Sequence, residues 1–215
     1  MAISAKICGV TTPDAVAATV AGGASHMGLN FYPPSPRYVL PADAAALAAE
    51  TPIELCTVGV FVDADDPTLE ATLDAVELDL LQLHGDETIE RVAAVRARFG
   101  VPVMKVIRVA GPADIALAGA FAEVADWLLF DARAPADMVG ALPGGNALSF
   151  DWRLIAGTSW PVPWMLSDGL EIANIAEAVS VSGARLVDVS SGVEDRRGHK
   201  SPAMIKAFLA RVAGL

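Results

Sequence analysis

Two side chains in this sequence have the chemistry and setting of an acid–base pair. Cys8 ends the apolar part of "SAKICGVTT" (Ser4 to Thr12), with Lys6 two residues upstream, and Asp131 ends "WLLFD" (Trp127 to Asp131). On an extended chain, residues two apart share a face. An ammonium at Lys6 would therefore favour thiolate at Cys8 over an ordinary pKa of about 8.5. A cysteine there is either a small core filler or a group presented for reaction. A carboxyl after an apolar run is either a turn-former or a functional acid. Burial beside Leu129 and Phe130 would raise its pKa, as a general acid at neutral pH requires. Cys56 is the internal control: it lies near the start of its own apolar run and is assigned to the core.

Other segments have the makings of an anion site. Arg37 sits in "SPRYV" (Ser35 to Val39), where a guanidinium could hold a carboxylate through two parallel hydrogen bonds or simply be a solvated loop residue. "SDGLEIAN" (Ser167 to Asn174) and "DVSSGVE" (Asp188 to Glu194) bring Gly169, Ser190, Ser191 and Gly192, whose backbone N–H groups near a helix start would suit a phosphate. Either stretch alone reads equally as a turn. Gly144-Gly145-Asn146 could form a flexible flap. His84, in "LQLHG", ends an apolar run and could touch a substrate, while His26 opens one. With His199, the three histidines lack metal-ligand spacing.

The elements that must position these groups follow a rhythm. Val/Ile/Leu-rich runs recur at Ala5–Val10, His26–Phe31, Leu55–Val62, Leu78–Leu83, Pro102–Val109, Trp127–Phe130, Val162–Leu166 and Arg185–Val189. They read as buried parallel strands. Segments of helical length lie between them. Thr12-Pro13, Asp66-Pro67, Gly111-Pro112 and Ser201-Pro202 look like N-caps followed by proline at the first helical position, and Pro41 fits the same role after Leu40. Ile89, Val92, Ala93 and Phe99 mark one apolar stripe, with Gly100 as its C-cap. Strands alternating with helices predict a single eightfold β/α barrel over residues 1–215, with a doubly wound open sheet as the alternative. The count of eight strands and the absence of a Gly-rich first turn favour the barrel. In such a barrel the C-terminal strand ends line the catalytic face, and strands one and six face each other across it.

Bulk composition narrows the function classes. The chain has 215 residues, 53% hydrophobic and 19% charged, enough to bury a sizeable core. A formal charge of −11 argues against a nucleic-acid partner, which would need clustered Lys and Arg. A small anionic substrate stays open, because charges beyond about 8 Å are largely screened at physiological salt. The uncharged stretch Ala15 to Pro36 is broken by Gly22, Gly23 and prolines, so no membrane span is expected. Met1 to Val10 shows no secretory pattern, and the two distant cysteines suggest no disulfide framework; the expected compartment is the cytoplasm. The sequence leaves the oligomeric state, including a homo-oligomer, open.

The ordered set "KICGVT", "MGLNFYPPSPRYV", "VGVFVD", "LLQLHGDE", "WLLFDA", "PGGNALSFDW", "GLEIANIAEAV" and "DVSSGVE" spans nearly the whole chain and resembles the phosphoribosylanthranilate isomerase family of tryptophan biosynthesis. The resemblance implies a β/α barrel that carries out a cofactor-free Amadori rearrangement of N-(5-phosphoribosyl)anthranilate. It implies Asp131 as general acid to the ribose ring oxygen and Cys8 as general base at C2. Arg37 would then hold the anthranilate carboxylate, with His84 nearby, and the loops at Gly169 and Ser190 to Gly192 would cradle the phosphate. Three departures stand out. Gly144-Gly145-Asn146-Ala147 replaces a Gly-Gly-Thr-Gly run, Asp168 stands where a second glycine is common, and Ser201 stands where an aspartate is common. Two rival readings are a lyase or aldolase using Lys105 as a Schiff-base nucleophile and a non-catalytic phosphosugar-binding barrel. Acceptance of a histidine-pathway aminoaldose is left to assay.

Overall fold

A computed structural model describes residues 2–135, 142–145, 148–167 and 169–215. Strict alternation along the strands sorts side chains into an inner and an outer layer. The strands are β1 (Ser4–Cys8), β2 (His26–Asn30), β3 (Cys56–Phe61), β4 (Leu80–Leu83), β5 (Val103–Val109), β6 (Trp127–Ala132), β7 (Trp164–Ser167) and β8 (Leu186–Val189). They pair in parallel in chain order, and β8 closes on β1 to complete the eightfold barrel expected from the sequence.

The crossovers carry α1 (Pro13–Ala21), α2 (Pro41–Ala48), α3 (Asp66–Ala75), α4 (Ile89–Phe99), α5 (Pro112–Ala122) and α6 (Ile175–Ser182); α7 (Pro202–Ala213) follows β8. A small antiparallel hairpin, β9 (Glu194–Arg196) and β10 (His199–Lys200), precedes α7. The proline-marked starts hold, with one shift. The cap of α3 is Asp65, whose carboxylate accepts from the Thr68 N–H at 3.0 Å, so Asp66 is already helical. Gly100 ends α4 in the left-handed conformation, as its stripe predicted. Between β6 and β7 the described residues hold a 3-10 turn, Trp152–Leu154, instead of an eighth full helix. Prolines 143, 161 and 163 and glycines 144, 145 and 157 punctuate that crossover too often for a long helix.

Outward residues such as Ile7, Met27, Leu29, Leu81, Leu128 and Val187 pack against helix residues including Val16, Leu69, Val92 and Phe208. Inside the barrel a separate apolar plug of Val58, Leu80, Met104, Val106, Leu129 and Met165 fills the lower half. Cys56, Trp127 and Leu186 pack against it at the strand starts. With the lower half of the barrel interior full of hydrocarbon, the described residues leave the interior open to a ligand from the C-terminal mouth. Among the described residues no helix is long and apolar enough to cross a membrane.

His26 lies at the closed end, edge-on to Trp127 at 5.6 Å between ring centroids, with Ser25 Oγ 2.9 Å from its Nδ1. Burial, helped by the Lys6 charge, pushes its pKa from 6.5 down to about 4. The unfolded chain therefore takes up a proton on this residue between pH 6.5 and 4 while the folded chain does not, so stability falls as pH falls. The expected loss is about 3 kcal/mol by pH 4 relative to pH 7. Urea unfolding of wild type and His26→Asn across that range should show the gap between them shrinking by about that amount; a constant gap would contradict the assignment.

Candidate active site

The floor of the mouth is an ion pair. Lys6 and Asp188 are direct cross-strand partners on β1 and β8, the seam that closes the barrel, and Lys6 Nζ lies 2.9 Å from Asp188 Oδ1. Lys6 is fully buried. Burial alone would drive off its proton, but the charge and hydrogen bond of the adjacent Asp188 carboxylate hold the ammonium. The close fit depends on Gly28 of β2: a β-carbon there would stand 3.0 Å from Cys8 Sγ and 3.3 Å from Lys6 Cε.

Cys8 is the last residue of β1 and sits one step above Lys6 on the inner face. The sequence reading of this thiol is corrected in one respect. Burial is the largest effect and pushes the thiol upward; Lys6 and Lys200 pull it back, while Asp188 adds to the rise. The nearest ammonium is hydrogen-bonded to a carboxylate of its own, so its pull is partly cancelled. Cys56, by contrast, packs against the plug at the barrel's far end, where burial pushes it to about 11.

Asp131 lies within β6, on the inner face, and is 5% exposed. Burial raises its pKa as expected, against the hydrogen bond and charge of His84. His84 Nε2 lies 3.2 Å from Asp131 Oδ2, and the Ala132 N–H donates to Oδ1 at 3.0 Å. On the other side of the ring, Gln82 Nε2 is 3.1 Å from His84 Nδ1. Gly144 lies directly over this pair: a β-carbon on it would fall 2.4 Å from His84 Cε1 and 2.6 Å from Asp131 Oδ2.

Arg37 is buried rather than solvated. Its Nε and Nη2 donate to the two Glu194 oxygens at 2.7 and 3.1 Å, and Nη2 also reaches the Gly145 carbonyl at 3.4 Å. Lys200 Nζ donates to the same Glu194 carboxylate and, at 3.3 Å, to Ser190 Oγ, which donates to the Cys8 carbonyl at 3.1 Å. Although burial pushes the Glu194 carboxyl up, the Arg37 hydrogen bonds and the Lys200 charge prevail and hold it at about 2. Two cations thus share one anion, leaving a net positive charge beside the mouth.

These groups enclose one cavity. Cys8, Arg37, His84, Asp131, Gly144, Gly145, Asp188 and Ser190 line a space of about 490 Å³, and a second lobe of about 340 Å³ opens off it past Gly169, Ser190 and Ser191. Gly192 stands behind that lobe, pressed against the Leu170 carbonyl, where a β-carbon would come within 2.0 Å of the oxygen. Asp168, Asn146 and Ala147 lie outside the described residues. Ser201 caps α7, as expected, accepting from the Met204 N–H at 3.4 Å.

Lys105 does not join the cavity. The neighbouring Met104 and Val106 belong to the inner plug, so Lys105 points outward, where its Nζ pairs with Glu87 and donates to the Gly85 carbonyl at 2.8 Å. This removes the structural basis of the Schiff-base reading. Gln82, Glu194 and Lys200 are the site residues that sequence reasoning missed. The one available signal was for Gln82, a polar residue in an apolar strand two places before His84.

An eightfold barrel whose C-terminal mouth holds a buried thiol, a buried carboxyl and a cation-lined cavity has the layout of a barrel enzyme's active site. Residues 5–211 match the family model described as N-(5'phosphoribosyl)anthranilate (PRA) isomerase. A curated relative of that name from Rhodospirillum centenum is 58% identical over the full length of both chains. The crystal structure of phosphoribosyl anthranilate isomerase from Thermotoga maritima superposes with a TM-score of 0.86 at 33% identity, covering 99% of this chain and 100% of that one. A second solved structure, of the isomerase in complex with reduced 1-(o-carboxyphenylamino)-1-deoxyribulose 5-phosphate, gives 0.81 at 32% identity, with coverage of 99% and 100%. The chain belongs to the N-(5'-phosphoribosyl)anthranilate isomerase family, an enzyme family of tryptophan biosynthesis.

Removing Glu194 would strand two buried cations. Glu194→Ala should cost about 3 kcal/mol or more in urea unfolding, the usual penalty for breaking a buried pair from one side. Asp195→Ala, which removes only the exposed partner of His199, should cost less than about 1 kcal/mol. Equal costs would contradict the buried network.

Proposed function

We propose that Cys8 and Asp131 are the base and acid of the family's reaction in this chain, converting N-(5'-phosphoribosyl)anthranilate to 1-(2-carboxyphenylamino)-1-deoxyribulose 5-phosphate without a cofactor. The observation that carries the reading is that the only buried thiol among the described residues and a buried carboxyl with a raised pKa line the same cavity from β1 and β6. Asp131 donates its proton to the ribose ring oxygen. The C1–O bond breaks toward that oxygen and the anthranilate nitrogen closes on C1, giving an iminium. As the cation forms, the Cys8 thiol releases its own proton to solvent. The thiolate then takes the proton from C2, the C–H electron pair becomes the C1–C2 double bond and the C=N electrons return to nitrogen, giving an enolamine that tautomerises to the ketone.

The electrostatics support this order. The thiol is held up by burial, so it is a poor base in the empty cavity. The cationic iminium made by the acid adds positive charge to that of Lys6 and Lys200, drawing the thiol toward thiolate at the step that needs it. Arg37, steered by Glu194, holds the anthranilate carboxylate, and His84 borders the reacting end of the cavity beside the acid. The lobe at Gly169, Ser190 and Ser191 takes the phosphate, with Gly192 behind it keeping the loops close. The ligand of one relative is such a phosphorylated product analogue, which supports a phosphorylated small molecule here.

The test is anthranilate-type fluorescence decay with substrate generated in place. Wild type should accelerate the loss of signal. Cys8→Ala and Asp131→Asn should each lower kcat by at least about 100-fold, the lower range for a positioned acid or base. Cys56→Ala should change little. Three variants of equal activity would remove the assignment, and no acceleration by folded wild type would leave a non-catalytic barrel.

A further inference from the structure

The Gln82 side chain is fully buried inside the barrel, and its two amide ends are used unequally. Nε2 lies 3.1 Å from His84 Nδ1, whereas Oε1 has no hydrogen-bond partner among the described residues. A buried amide oxygen left unpaired costs about 1–3 kcal/mol, so its persistence calls for a reason. The rest of the chain supplies one. With Gln82 donating to Nδ1, the ring proton must sit on Nε2, which then donates to Asp131 Oδ2 at 3.2 Å while the Ala132 N–H donates to Oδ1 at 3.0 Å. Both carboxylate oxygens are accepting. This hydrogen-bond pattern is that of the spent, ionised acid.

The loaded acid requires the opposite pattern. A proton on Asp131 Oδ2 would be donated to a bare Nε2, and the ring's own proton would move to Nδ1, which then needs an acceptor. Gln82 Oε1 meets that need after a half-turn about the Cγ–Cδ bond. The two states differ by one proton, and an amide, with a donor at one end and an acceptor at the other, can serve Nδ1 in both. We propose that Gln82 is a positioning residue for the acid, its amide swinging between donor and acceptor so that the His84–Asp131 pair can hold or release one proton without leaving Nδ1 unpartnered in a dry site. This rests on Asp131 being the acid of the preceding section. The other groups around the pair have partners of their own. Lys6 of β1 is bound to Asp188 of β8, Arg37 to Glu194, and Arg108 of β5, across from Asp131, to Asp86. Cys8 faces the pair across the cavity.

The chain has three histidines, His26, His84 and His199, so ring ¹⁵N spectra of the full protein can be assigned by single substitutions. In wild type, His84 should carry its proton on Nε2 at high pH and exchange this for a proton on Nδ1 with Nε2 bare as pH falls, over the same range in which kcat/KM rises on its alkaline limb. Protonation of both ring nitrogens together would overturn the proposal. Gln82→Met keeps the volume and removes both functions of the amide. It should lower kcat by about tenfold or more, as losing an imidazole-orienting partner does. It should also move the alkaline limb to lower pH, because an orphaned N–H is tolerated less well than an orphaned lone pair. A wild-type Nδ1 that never changes role across that limb would overturn the proposal, as would a Gln82→Met enzyme with unchanged kcat and limb. The change of role at Nδ1 is read from the ring spectrum without turnover, so its absence at every pH overturns the proposal even if the substrate reading fails. That separate failure would be seen as activity retained in Asp131→Asn.

Discussion

The Lys6–Asp188 ion pair is the constraint around which the mouth is arranged. A buried ammonium is tolerable only with a carboxylate in contact, and the register of β1 against β8 supplies one directly opposite. That register also closes the barrel. The same pairing that completes the sheet therefore fixes a positive charge one inward step beneath Cys8 and a negative charge beside it. Such pairs are weak evidence for stability in themselves. Their value here is positional, because neither partner can move without stranding the other.

Above this floor, two titratable groups are given unlike surroundings. The thiol has lysines on two sides and a neutral resting state enforced by burial; the carboxyl has apolar strand neighbours and a histidine. Burial raises the pKa of both, which favours a neutral thiol and lets the carboxyl take up a proton, and the acid acts first. The reaction's own cationic intermediate then activates the base. Opposed environments for two such groups are a common way to divide acid from base work at one pH. Glu194 extends the same economy outward: one carboxylate orients Arg37 and holds Lys200 against Ser190, joining the loop after β2 to the hairpin before α7.

Much of this was legible in the sequence because it is local. Strand alternation put Lys6 and Cys8 on one face, the run ending at Asp131 marked a carboxyl among apolar residues, and prolines marked helix starts that the fold reproduces to within a residue. What was not legible is long-range. Arg37 and Glu194 are separated by 157 positions, so nothing in either segment announces the other. For the same reason the sign of the Cys8 shift was misjudged: Asp188, which occupies Lys6, is 182 positions away from it. Lys105 was read as a candidate nucleophile from its residue type alone, whereas the inward or outward sense of its strand decided the matter.

The division of labour between thiol and carboxyl is tested most directly by substrate deuterated at C2 of the ribosyl group, with the isotope effect on kcat measured in two variants. Cys8→Ser weakens the base, so removal of the C2 proton should become rate-limiting and a clear primary isotope effect should appear. Asp131→Asn weakens the acid, so ring opening should limit the rate and the effect should be near unity. Equal isotope effects in the two variants, or the reverse pattern, would contradict the assignment of base to Cys8 and acid to Asp131.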